Sequence, residues 1–167
     1  MRAAILTVSD RSHSGVRADL SGPALAKFLT ERGFTVAATR IVPDDAKEIS
    51  AQLIEWADSG SIDLILTTGG TGASPRDITP EATRPVLERE IPGIPEVMRA
   101  VSMAKTPYAM LARGLAGIRG SALILNLPGS PKGAIENLEA VWVAIPHAVG
   151  KVLGDPSDCT PPRPSTP

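Results

Sequence analysis

The chain has 167 residues, enough for one domain with a core that needs neither metal nor disulfide, and its 43% hydrophobic and 21% charged residues are ordinary for a globular protein. The net charge of −1 gives no general attraction to nucleic acid or to an anionic membrane, and 3% aromatic residues are too few for a base-stacking surface. Cys159 is the only cysteine, which excludes an internal disulfide and suits a reducing cytosol, and His13 and His147 stand far apart, outside any metal-ligand spacing.

The chain enters an apolar run at once, residues 3–8, too short for a signal-peptide core and closed by the polar stretch Ser9 to Gly15. No run approaches the roughly 20 apolar residues of a membrane span, so the expected location is the cytoplasm and no membrane partner is expected. Residues 2–8 read as a buried strand. A helix follows, with Ser21 as its expected cap, Pro23 in its first turn, Leu25, Phe28 and Leu29 on one face, and Gly33 closing it. Residues 35–42 read as a second strand. Pro43-Asp44-Asp45 breaks it and opens a helix through Ile49, Leu53, Ile54 and Trp56.

Residues 62–68 form a third strand running into Gly69-Gly70-Thr71-Gly72. The pattern then predicts a helix over 80–90 capped by Thr79, another over 96–105, and a short one over 108–113. Two strands, 116–119 and 122–126, meet at a turn at Gly120. Residues 127–133 form a rigid loop, and 135–153 read as helix bent at Pro146. From Gly154 the chain is Pro-rich without apolar periodicity and reads as a disordered tail, leaving one domain over 1–153. Strands that are apolar throughout and alternate with helices predict a mostly parallel α/β sheet covered on both faces, with an antiparallel strand added by the hairpin.

In such a sheet, ligands bind beyond the carboxyl ends of the strands. Four polar clusters fall there: Ser9-Asp10-Arg11, Asp44-Asp45, Gly69 to Asp77, and Asn126 to Lys132. The glycine run exposes N–H donors suited to an anion, but no Gly-Lys-Ser/Thr follows and it is no GxGxxG fingerprint. Asp44 and Asp77 follow the second and third strands and could face one cleft, where two carboxylates suit Mg²⁺ or one of them suits orienting an attacking group. Against this stand plainer readings: Asp44 as a helix cap, Asp77 paired with Arg76 or serving a turn, and Asp10, Arg11 and Asp19 as a structural ion cluster. Arg76 and Lys132 can neutralise phosphate charge. Exposed apolar residues over 97–110 suit either a subunit interface or the core.

Taken together, the runs Thr7-Val8-Ser9-Asp10-Arg11, Asp19-Leu20-Ser21-Gly22-Pro23, Val42-Pro43-Asp44-Asp45, Thr67 to Gly72, Pro75-Arg76-Asp77-Ile78-Thr79-Pro80-Glu81-Ala82 and Asn126 to Lys132 resemble the bacterial MoaB/Mog proteins and the G domains of gephyrin and its plant counterpart. The resemblance spans residues 4–153. It implies a three-layer α/β/α sandwich, a homotrimer or hexamer, and Mg²⁺-ATP-dependent adenylylation of molybdopterin with release of pyrophosphate. Asp44 and Asp77 match the family's two essential aspartates, 33 residues apart here, which would hold Mg²⁺ directly or through water or phosphate. Gly69, Gly70, Thr71, Gly72 and Ser102 match pterin-binding positions, with Arg76 assigned to the same side. Ser9, Asp10, Arg11, Ser21, Gly22, Pro128, Gly129, Ser130 and Lys132 match the nucleotide side. One departure is Leu111-Ala112-Arg113, where relatives often carry Leu-Ser-Arg. The alternative within the resemblance is a non-catalytic molybdopterin carrier or scaffold. A hand-off to a molybdenum-insertion protein is implied, and a nucleic-acid partner is not.

Overall fold

In the computed structural model, residues 1–157 are described. A six-stranded sheet runs in the order β2-β1-β3-β6-β5-β4, built from β1 (Arg2–Val8), β2 (Thr35–Val42), β3 (Leu64–Thr68), β4 (Arg89–Glu90), β5 (Ala116–Arg119) and β6 (Ala122–Leu127). β2, β1, β3 and β6 are mutually parallel, while β5 and then β4 pair antiparallel at one edge. The expected mostly parallel sheet with helices on both faces is thus present.

The central strands are apolar on both faces because each face is covered. Ile5, Leu66, Leu123 and Leu125 face a layer formed with α2 (Ser21–Thr30), α5 (Gly93–Met103), α6 (Pro131–Val141) and α7 (Ile145–Val152). Leu6, Val8, Ile65 and Ile124 face the other layer, with Ile49, Leu53 and Trp56 of α3 (Ala46–Asp58) and Ala82 of α4 (Thr79–Thr83). Each such buried Leu, Ile or Val contributes about 1.5–3 kcal/mol relative to exposure. Phe28 and Phe34 pack edge-on against Trp142, with ring centroids 5.1 and 5.4 Å away, and the Arg32 guanidinium lies 3.5 Å above the Phe28 ring.

Several local expectations change. The polar stretch after β1 contains a one-turn helix, α1 (Asp10–His13), whose Ser9 hydroxyl accepts the Ser12 N–H at 3.2 Å. Ser21 does not cap α2; the Asp19 carboxylate does, accepting the N–H groups of Ser21 and Gly22, each at 3.0 Å. A helix over 80–90 is not formed. After α4 a 3₁₀ turn covers Arg84–Val86, and the chain extends into β4. Pro85 lacks the N–H that would continue the α-helical ladder, Arg84 before it stays helical, and the chain turns to extended backbone at Leu87, with ψ 132°. Thr79 is no cap either: its hydroxyl donates to the Gly69 carbonyl at 2.9 Å. The C-terminal helical stretch begins earlier, at Pro131, and is two helices rather than one bent one, with Pro146 in the first turn of α7. Short 3₁₀ structure covers Pro107–Leu111. Residues 154–157 fold against the end of α7, with Lys151 Nζ donating to the Asp155 carbonyl at 3.1 Å. The rest of the expected tail, with Cys159, lies outside the described residues. Among the described residues no helix is long and apolar enough to cross a membrane.

Candidate functional site

The carboxyl ends of β1, β2, β3 and β6 open onto one edge of the sheet, and the chain leaves β3 there through two residues that must be glycine. Gly69 has φ 103° and Gly70 φ 63°, both in the left-handed region. A Cβ on Gly69 would stand 2.2 Å from the Val8 carbonyl oxygen, and one on Gly70 would stand 2.3 Å from Thr79 Oγ1. Thr79, fully buried, holds this turn from below: its N–H donates to the Gly70 carbonyl at 3.0 Å and its hydroxyl to that of Gly69. Gly129 packs its backbone closely against this turn, since a Cβ there would lie 3.1 Å from Gly69 Cα.

Asp44 and Asp45 divide their work. Asp45 caps α3, its Oδ1 accepting the N–H groups of Lys47 at 2.9 Å and Glu48 at 3.1 Å. Asp44 is therefore released from the cap and turns to α1. Asp44 Oδ2 accepts the Asp10 N–H at 2.8 Å, and Asp10 Oδ1 accepts the Asp44 N–H at 3.0 Å. The other Asp10 oxygen receives Arg76 Nη2 at 2.6 Å and Nε at 3.1 Å. The Asp44 N–H and the Arg76 guanidinium together hold the Asp10 carboxyl below its ordinary value, and Asp10 in turn raises that of Arg76.

Arg76 is thus spent on Asp10 and does not pair with Asp77. Asp77 Oδ2 accepts the Ser74 N–H at 2.8 Å and closes a tight turn with it. Arg113 braces this loop, donating to the Gly72 carbonyl at 2.7 Å, to the Asp77 carbonyl and to the Glu81 carboxylate.

Two hollows open above this scaffold. A polar one of about 470 Å³ is lined by Ser9, Asp19, Ser21, Asp44, Thr68 and Gly69 among others. The second, about 450 Å³, is lined by Thr71, Gly72, Ser102, Tyr108, Leu111 and Ala112, with Arg99 adding positive charge and Lys105 paired at 3.0 Å with Glu136 of the same lining. Gly70, Asp77, Gly129 and Ser130 line both. Asp44 and Asp77 therefore share the polar hollow, and Asp77 stands where the two compartments meet.

Other sequence-derived site residues fall elsewhere. Asp10, Arg11, Arg76 and Lys132 line neither hollow, and Gly22 lines only a neighbouring groove. Asp10 and Arg76 are engaged with each other, and Arg11 and Lys132 are exposed on their elements. Pro128 lines the second hollow rather than the polar one. Asn126 is buried beneath the site, its amide donating to Thr67 Oγ1 at 2.9 Å and Thr83 Oγ1 at 3.0 Å.

Sequence reasoning missed Arg17 and Thr68 on the polar side and Arg99, Lys105, Glu136 and Asn137 on the other. It had Asp19 as an ion-cluster member and within a run that carries the resemblance, with no role in the site. Its carboxylate instead binds the start of α2 and accepts the Thr7 hydroxyl at 2.7 Å. A carboxylate two residues before a Ser-Gly-Pro helix start was a usable signal for that role. The α5 and α6 residues carried none, because polar positions on amphipathic helices look like solvent-facing ones.

These features define an α/β domain with a two-compartment cleft at the carboxyl edge of its sheet, and comparison with known proteins shows the family and the fold. The family model described as "probable molybdopterin binding domain" matches residues 4–147, and the chain belongs to that family. It is 46% identical over 153 residues to a molybdopterin adenylyltransferase of Helicobacter pylori, covering 90% of this chain and 87% of that protein. It is also 46% identical over 143 residues to the molybdopterin adenylyltransferase of Escherichia coli K12, covering 84% of this chain and 73% of that one. The crystal structure of the molybdopterin biosynthesis enzyme MoaB from Thermus thermophilus superposes with a TM-score of 0.87 at 54% identity, covering 94% of this chain and 99% of that one.

Proposed function

We propose that this protein is a molybdopterin adenylyltransferase, joining an adenylyl group from ATP to the terminal phosphate of molybdopterin and releasing pyrophosphate. The observation that carries the reading is the meeting of two hollows of different character at Asp77, Gly70, Gly129 and Ser130. The polar hollow suits the nucleotide: the Ser9 hydroxyl, which accepts the Ser12 N–H, keeps its proton for a ligand, and the Gly69-Gly70 turn lines the hollow with backbone rather than side chain. The second hollow suits the pterin: Tyr108, Leu111 and Ala112 form an apolar wall, while Ser102 and Asn137 supply hydrogen bonds. In this arrangement an oxygen of the pterin phosphate reaches the α-phosphorus of ATP at the junction. The new P–O bond forms as the bond to the bridging oxygen of the β-phosphate breaks, and that oxygen leaves with pyrophosphate.

Such a step depends mainly on positioning and on neutralising charge. Among the described residues, no group of three or more His, Cys, Asp or Glu side chains is gathered to hold a metal by protein alone. Two carboxylates on a phosphate site are nonetheless what Mg²⁺ takes, with water and substrate oxygens completing its shell. Asp44 and Asp77 would hold it, and when bound it would draw charge from the phosphates and the departing pyrophosphate. Both aspartates are set by backbone N–H groups, so their orientation does not wait for the ligand.

Asp77→Asn tests this. Pterin binding by fluorescence quenching should persist, while incorporation of labelled AMP from Mg²⁺-ATP should fall by about 10²–10³-fold, the usual cost of one electrostatic contact to the transition state. Normal turnover would remove Asp77 from the chemistry.

The same reading includes a homotrimer. Val97, Val101 and Met103 of α5, with Tyr108 and Met110 beyond it, are 41–78% exposed and form an apolar stretch for contact between copies. Light scattering should return three times the chain mass. A cytoplasmic setting supplies the ATP, and the adenylylated pterin would pass to a molybdenum-inserting partner.

A further inference from the structure

Arg113 ties both ends of the Thr71–Asp77 loop together. Its backbone N–H donates to the Thr71 carbonyl at 3.0 Å, and its Nε to the Gly72 carbonyl at 2.7 Å. Its two terminal nitrogens reach the Asp77 carbonyl and the Glu81 carboxylate of α4. A guanidinium presents its donors in a fixed plane, so these acceptors are held in one mutual geometry that an ammonium group cannot reproduce. Arg113 also follows directly on Leu111 and Ala112, which wall the second hollow, while Asp77 lines both.

We infer that Arg113 is a positioning residue that couples the wall of the second compartment to the placement of Asp77. The inference rests on the proposed reaction for its kinetic consequence, but its structural content does not. When ligand fills the second hollow and presses the 107–112 segment into place, the guanidinium fixes the backbone on either side of the catalytic turn. Asp77 then presents its carboxylate at the junction. Displacement of a reacting group by about 1 Å is enough to cost about 100-fold in rate.

The test uses Arg113→Lys in the full chain, with two readouts. In hydrogen exchange, amides over 72–77 should exchange at least several-fold faster than in the unaltered protein, while amides of β1 and β3 stay unchanged. In steady-state adenylylation, kcat should fall about 10- to 100-fold with KM for ATP and pterin within about threefold, and added guanidinium should restore part of the rate in Arg113→Ala. Should Arg113→Lys fail to fold, Glu81→Gln frees one arm of the clamp and should give a smaller rise in exchange over the same amides. If the unaltered protein transfers no AMP, the proposed function falls, and exchange alone judges Arg113. Unchanged exchange over 72–77 in a folded variant overturns the inference, as does a kcat within twofold of the unaltered enzyme.

Discussion

Asp10 and Asp44, 34 residues apart in the chain, each accept the other's backbone N–H, at 2.8 and 3.0 Å. This reciprocal pair locks the turn after β1 to the turn after β2 and leaves one face of Asp44 toward the polar hollow. Both oxygens of Asp10 are committed, one to the Asp44 N–H and one to Arg76.

Asp44→Asn separates charge from architecture. The amide oxygen can still accept the Asp10 N–H, so the thermal transition should move by no more than about 2 °C. AMP transfer should drop by about 10²–10³-fold, and the Mg²⁺ concentration for half-maximal rate should rise. A rate within threefold of the unaltered enzyme would mean that Asp44 does not serve the metal.

The Asp10 clamp has an acid limit. Its carboxyl is held below the ordinary value of 3.8, first by the Asp44 N–H and then by Arg76. A depressed carboxyl contributes stability that is fully present above its unfolded value and is lost as pH falls through the lower, folded value. Asp10→Asn should therefore be less stable than the unaltered protein at pH 6–7 by urea denaturation, and the gap should close only below the ordinary carboxylate range. A gap that persists undiminished at the lowest pH that leaves both proteins folded would contradict the assignment.

Gly69→Ala tests the backbone of the site. The substitution combines φ 103° with a Cβ placed 2.2 Å from the Val8 carbonyl oxygen, which belongs to the central strand and cannot move cheaply. Strain of this kind costs on the order of 1–3 kcal/mol, and the steric conflict adds to it. Calorimetry should show a fall of at least several degrees in Tm; an unchanged Tm would show that the turn relaxes freely.

Ala112→Ser restores a hydroxyl at a wall of the second hollow. A neutral hydrogen bond to ligand contributes about 0.5–1.5 kcal/mol net, so the Kd for pterin should tighten about 2- to 10-fold while the KM for ATP stays put. Weaker pterin binding would place the ligand away from this wall.

The amino-acid order alone determined the layered sheet, because strands apolar at every position must be covered on both faces, and it determined the glycine turn, because no other residue tolerates its backbone. It placed Asp44 after the second strand and Asp77 in the loop after the third, because parallel strands all end on one edge. What it left open was how each polar group is spent, since Asp45 and Asp44 are equally good helix caps by type, and Arg76 lies beside Asp77 in sequence. The fold decided these cases by proximity: Arg76 meets Asp10 across 66 residues, and Arg113 reaches Gly72 across 41. It likewise decided that Asn126 is buried beneath the site, while Arg99, Lys105 and Asn137 face a cavity. Hydrogen bonds and cavities arise between elements far apart along the chain, and neither local propensity nor apolar periodicity carries that information.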